Sequence, residues 1–208
     1  MKQTNPSPAM RPKMLLFSAL AGSLVACHRD LPIQEYTAYL NNPANGLVQT
    51  DTGNGLDMVC AFKPTELLVY QETAGAGAGT ATPIDSARAQ YRNNVYVTLS
   101  FATNGQEIEN AFLRDEPVHN ACLSYLTHYV YQDVALCTAT DTIPATASTY
   151  ARQYGSTRAS TVLVVFTKGA TDLRHGFDIL YRGDKFNLGT MRFPFAAQAL
   201  RNIPSLRY

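Results

Sequence analysis

The chain has 208 residues with 17 Lys and Arg against 16 Asp and Glu, a near-balance that leaves no basic stripe. Its Lys and Arg form no cluster that would track phosphates, so nucleic acid is not an expected partner. The length suits one domain of ordinary size with a sizeable core, and no internal repeat or second long apolar segment argues otherwise.

The N-terminal segment has the layout of a secretory signal, with Lys2, Arg11 and Lys13 followed by an apolar run over residues 14–26. Thirteen residues are too few to span a bilayer as a helix, which needs about 20. The run ends in Leu24-Val25-Ala26-Cys27. A small residue before the cysteine keeps the backbone uncrowded for a peptidase. The segment resembles the type II signal peptide of bacterial lipoproteins, matching the Leu-x-small-Cys lipobox at Leu24, Ala26 and Cys27. That resemblance implies cleavage before Cys27, a diacylglycerol on its thiol and usually an acyl chain on the new amino group. Two or three chains would anchor firmly, because each buried methylene contributes about 0.8 kcal/mol and one chain alone binds marginally. Residue 28 is His, not the Asp that in many Gram-negative lipoproteins favours inner-membrane retention, so the implied location is the cell envelope at the outer membrane. The division is therefore residues 1–26 as signal, 27–34 as a lipidated tether and 35–208 as one domain. Losing the signal removes three basic residues and no acidic ones, leaving 14 Lys and Arg against 16 Asp and Glu.

After the tether, Tyr36, Ala38 and Leu40 lie at period two and predict a strand, followed by a turn-rich stretch over residues 41–46. Residues 47–52 and 56–62 form a hairpin around Gly53-Asn54-Gly55. Residues 63–72 can be a short helix, with Pro64 and Glu66 suited to its first turn, or a buried strand; the helix is preferred. Alternating Gly and Ala over residues 74–79 read as a flexible surface loop, and residues 85–93 as a short helix. Residues 95–103 alternate cleanly as a strand that ends at Asn104-Gly105, a hairpin-turn pair. Residues 107–114 return as a strand or turn helical. Val118, Ala121, Cys122, Tyr125 and Leu126 have helical spacing. Residues 129–138 read as a strand, 141–149 as a polar loop and 150–158 as a surface loop. Residues 161–167 should be a central strand. Residues 177–181 and 188–195 make a second hairpin, and 196–202 a terminal helix stopped by Pro204. Hairpins separated by short helices predict an α+β fold, a single domain with a mainly antiparallel sheet.

No stretch carries a catalytic signature. Gly75 to Gly79 lacks the Gly-Lys-Ser or Gly-Lys-Thr of a phosphate loop and the spacing of a dinucleotide fingerprint. His119, Cys122, His128 and Cys137 bunch together, yet one helix cannot point all of them at a zinc ion, and no metal or other cofactor is expected. Cys122 and Cys137 are instead the candidate disulfide, worth about 3 kcal/mol for a loop of this length, or else simply unpaired thiols. Asp172, His175 and Asp178 are near in sequence, which does not make a triad. Glu107 with Glu109, and Asp115 with Glu116, are candidate acid pairs, although such pairs are common on solvated surfaces. The density of Tyr125, Tyr129, Tyr131, Tyr150 and Tyr154 raises a ligand-binding surface against ordinary sheet packing. Residues 62–72 and 189–204 loosely resemble small envelope lipoproteins, a likeness that implies no activity. The expectation is a membrane-anchored, non-enzymatic envelope module that binds another envelope protein or a ligand. The alternative is an envelope hydrolase whose site is assembled only in the fold.

Overall fold

The computed structural model describes Met1 and residues 30–75 and 84–208. Cys27 and most of the Gly-Ala run lie outside the described residues. A short strand β1 (Asp30–Leu31) opens the fold and pairs in parallel with the last one, β12 (Ser205–Leu206). Residues 30–34, expected in the tether, are thus part of the fold.

The strand expected at Tyr36 to Leu40 is helix α1 (Ile33–Asn41). Tyr36 and Leu40 are buried while Ala38 is exposed. Positions four apart share a helix face, and a period-two reading of the same residues cannot tell the two structures apart. Pro32 precedes the first turn, where it sacrifices no helical hydrogen bond.

Strands β2 (Val48–Gly53) and β3 (Leu56–Lys63) form the expected hairpin, turning at Asn54 and Gly55 with φ of 49° and 73°. Helices α2 (Thr65–Gly75) and α3 (Ile84–Tyr91) follow, and α2 lies against α3. Arg88 of α3 donates two hydrogen bonds to Glu66 of α2, at 2.9 and 2.8 Å. β4 (Asn94–Thr103) then runs antiparallel to β3 and turns at Asn104-Gly105, both at positive φ, into a two-residue β5 (Gln106–Glu107). A 3-10 turn over Ile108–Phe112 leads to α4 (Glu116–Ser124), where Asp115 caps the Val118 N–H at 3.3 Å.

The chain stays helical beyond α4, through a π turn at Tyr125–Tyr129 and a 3-10 turn at Val130–Asp133. The strand expected over 129–138 therefore shrinks to β6 (Val134–Cys137). Cys122, Tyr125, Leu126 and Val130 are buried at helical spacing, which carries the helical face past the expected end. The polar loop expected over 141–149 is two strands, β7 (Thr142–Pro144) on β6 and β8 (Ala147–Tyr150) on β9 (Ser160–Thr167). β9 pairs with β4 as well as β8, so it is internal to its sheet as expected. β10 (Gly176–Arg182) and β11 (Thr190–Ala196) form the second hairpin, and α5 (Ala197–Arg201) closes the chain before β12.

The result is α+β with mainly antiparallel sheets. The large sheet runs β2-β3-β4-β9-β8 with β5 beside β4, and the small one β11-β10-β6-β7. The chain crosses between them at Ala145 and Thr146, whose N–H groups bond Val134 of the small sheet and Val165 of the large one. Inward residues of both sheets, among them Leu99, Phe101, Val164, Ile179 and Phe193, fill one core with Leu126 of the π turn. A second cluster gathers Tyr36, Leu40, Leu47 and Leu67 with Leu31 and Leu206. Phe62 and Leu200 pack against both clusters and join them into one body.

Candidate binding face and the buried acid pair

Strand alternation decides which residues of the small sheet face outward. Along β11, Met191, Phe193 and Phe195 point into the core, leaving Arg192, Pro194 and Ala196 exposed. β10 turns Asp178, Leu180 and Arg182 to the same side, and β6 adds Ala135 and Cys137. Leu180 sits at the centre, paired with Ala135 on one side and Arg192 on the other, and all of its outward neighbours on β6 are half-buried.

Two ion pairs frame this face. Arg192 clamps Asp178, with its Nε–H donating at 2.9 Å. Arg182 donates to the Gln132 carbonyl at 2.8 Å and to Asp133 at 3.0 Å. A cleft of about 560 Å³ opens where the face meets Gly46 and Gln49 beside β2, with His175 and Cys137 also in its wall. Another, of about 410 Å³, lies between Asp133, Pro144, Leu180 and Arg182. The larger cleft marks the seam at which β2 and β11 come close without pairing. The Asn54 side chain bridges that seam at one end by donating to the Asn187 carbonyl, and Gly46 against Ala199 narrows the other.

The second polar cluster is built differently. Glu107 and Glu109, a candidate acid pair of a kind common on solvated surfaces, are fully buried. Glu107 accepts from the Gly155 N–H at 2.8 Å, the Thr157 hydroxyl at 2.6 Å and the Thr157 N–H at 3.2 Å. Burial pushes the Glu107 pKa up, but these donors and the nearby Arg152 charge outweigh it and hold the carboxyl below its ordinary value. Glu109 takes hydrogen bonds from Tyr150 on one oxygen and from Ser160 on the other. Ser160 in turn accepts from the Ile108 N–H at 3.0 Å. Burial, then the hydrogen bond to Glu109, raises the Tyr150 pKa and keeps its hydroxyl protonated.

His119 extends the network. Its Nδ1 lies 2.8 Å from the Glu109 carbonyl and its Nε2 3.2 Å from Arg152. A carbonyl only accepts and a guanidinium only donates, so Nδ1 carries the proton and Nε2 the lone pair. Arg152 also lies over the Tyr154 ring, 4.8 Å from its centroid, and Tyr154 is exposed with φ of 55°. The carboxylates thus latch the loop after β8 onto the end of the large sheet, and every oxygen of the pair is occupied by a donor of the chain itself.

The other candidates separate. Cys122 and Cys137, the expected disulfide pair, are both free thiols. Cys122 is buried in the core from α4, whereas Cys137 points from β6 to the outer face, 3.7 Å from the Thr142 hydroxyl. Burial, then the Glu109 charge, pushes the Cys122 thiol up to about 12, so it stays a neutral core side chain. Among the described residues, no group of three His, Cys, Asp or Glu is placed to hold a metal ion. Asp172 bonds Arg174 and Asp178 bonds Arg192, so neither orients His175. Asp115 and Glu116 sit at the start of α4 and serve it rather than each other. The five tyrosines do not make one patch. Tyr125 is buried, bonding Asp133 at 2.9 Å and Tyr181 at 3.1 Å, Tyr150 is spent on Glu109, and Tyr129 and Tyr154 are exposed.

Sequence reasoning missed the outer face of the small sheet. The signal was available in β11 as Thr190, Arg192 and Pro194 alternating with Met191, Phe193 and Phe195. Comparison of this chain with known protein families, curated proteins and solved structures returns no match.

Proposed function

We propose that this chain is a bacterial envelope lipoprotein, anchored through lipid on Cys27, whose folded domain is a non-enzymatic module that docks another envelope protein. The place of action rests on the Leu24-Val25-Ala26-Cys27 lipobox, and His28 after it favours the outer membrane. The observation that carries the docking role is the outer face of the small sheet, uncovered among the described residues, where half-buried Leu180 lies between the Arg192–Asp178 and Arg182–Asp133 pairs. An apolar centre framed by exposed charge fits a protein partner, which buries the centre and leaves the rim wet. The acid pair that a hydrolase would draw on is instead committed to donors within the chain.

The anchor is tested by metabolic labelling with a fatty-acid probe. The wild type should incorporate the probe and Cys27→Ala should not. Equal incorporation in both would remove the anchored reading.

A further inference from the structure

The second cluster of the fold has an open side. A groove of about 450 Å³ runs over Phe62, Leu200 and Ile203, and Lys168, Arg174 and Arg201 supply the charged part of its lining. Asp172 is the acid in that lining, and it is taken by Arg174, whose guanidinium binds it at 2.8 Å. Lys168 and Arg201 enter no ion pair among the described residues, so the groove keeps a cationic excess. Arg201 is steadied over it by bonds to Gln198 at 2.9 Å and to the Arg174 carbonyl at 3.4 Å.

The position of this groove is set by the N-terminus. Ile203 packs in the same cluster as Leu31 of β1 and Leu206 of β12. Asp30 pairs with Ser205, two residues beyond Ile203. Only His28 and Arg29 separate Cys27 from Asp30, a span of at most about 10 Å. That reach is comparable to the Debye length of about 8 Å at physiological salt, so a lipid on Cys27 would bring this end of the domain within electrostatic range of headgroups. Exposed Arg207, whose N–H bonds the Leu31 carbonyl at 2.8 Å, adds a cation at the same end. The acids nearby are exposed Asp30 and half-buried Glu66, the latter held by Arg88 at 2.8 Å.

We infer that the groove bounded by Lys168, Arg174 and Arg201 is the membrane-resting surface of the domain, with anionic phospholipid headgroups as its occupant. This rests on the anchored reading and adds an orientation to it. β9 runs from Ser160 at its far end to Thr167, next to Lys168, at its near end, seven residue steps or about 23 Å. The latched acid pair therefore points away from the bilayer, and the face of the small sheet stands to the side, free for a partner.

The test uses the chain from residue 27 with Cys27→Ser, which holds every element of the fold and no lipid. It is sedimented with vesicles of phosphatidylcholine alone or mixed with phosphatidylglycerol. The wild-type fold should partition onto the anionic vesicles, weaken as salt rises and ignore the neutral ones. Removing one cation should cost about fivefold in partitioning, so Lys168→Ala with Arg201→Ala should cost roughly 25-fold. Arg158→Ala, beyond the far end of β9, should change nothing. No binding to anionic vesicles, equal binding to neutral ones, or equal loss from Arg158→Ala would overturn the surface. Circular dichroism of each variant separates loss of binding from loss of fold. Fatty-acid labelling of Cys27 is read independently, so failure of the anchor and failure of the surface are distinguishable outcomes.

Discussion

The latched end and the outer face of the small sheet use the same residue types to opposite effect. At the latched end, Glu107 and Glu109 are fully buried, and the donors that satisfy them come from Tyr150, Gly155, Thr157 and Ser160. On the face, Asp178 and Asp133 hold arginines whose side chains are 69% and 61% exposed. A buried carboxylate is costly unless its oxygens are hydrogen-bonded, so those residues are fixed by the fold and cannot be lost cheaply. An exposed pair contributes at most about 1 kcal/mol, because water and salt compete for both partners. Polar groups at the latched end hold structure, and polar groups on the face remain available to another molecule.

That contrast is broken most directly at Glu109. Glu109→Ala strips the acceptor from the buried Ser160 hydroxyl and the half-buried Tyr150 hydroxyl, and a buried group left unpaired costs about 1–3 kcal/mol. Urea denaturation should show a loss of several kcal/mol in total. A loss below 1 kcal/mol would mean that the pair is not structural.

Glu107 sharpens the comparison through pH. Its folded pKa lies below its ordinary value of 4.5, so its contribution is present above about pH 4.5 and is lost as pH falls through the folded pKa. Stability of the wild type should therefore drop more steeply below pH 4.5 than that of Glu107→Gln. The gap at neutral pH should be about 2 kcal/mol, the worth of hydrogen bonds to a charged acceptor. Parallel acid-denaturation curves for the two proteins would refute the assignment.

The parts of this architecture that were legible in the sequence are those with local causes. Asn54-Gly55 and Asn104-Gly105 announce two turns because both need positive φ, and both turns are where they were expected. The β10–β11 hairpin and α2 were readable from the same kind of local pattern. α1 was not, because Tyr36 and Leu40 are four apart and fit period two as well as a helix. β7 and β8 were hidden by shortness and by Pro144, which is tolerated because β7 is an edge strand. The buried acids were illegible for a deeper reason. Glu107 reads as solvated until Gly155 and Thr157, 48 and 50 residues later, arrive to bond it. The outer face of the small sheet likewise exists only once β6, β10 and β11 are side by side.

The most direct test of the account is a photo-reactive residue placed at Leu180 in the full lipidated chain, compared with one at exposed Gln153 on the latched loop. Irradiated membranes should yield a discrete cross-linked product from position 180 and none from position 153, and Arg182→Ala with Arg192→Ala should abolish the product while leaving the fold intact. The same product from both positions, or no product from position 180, would contradict a docking role for the face.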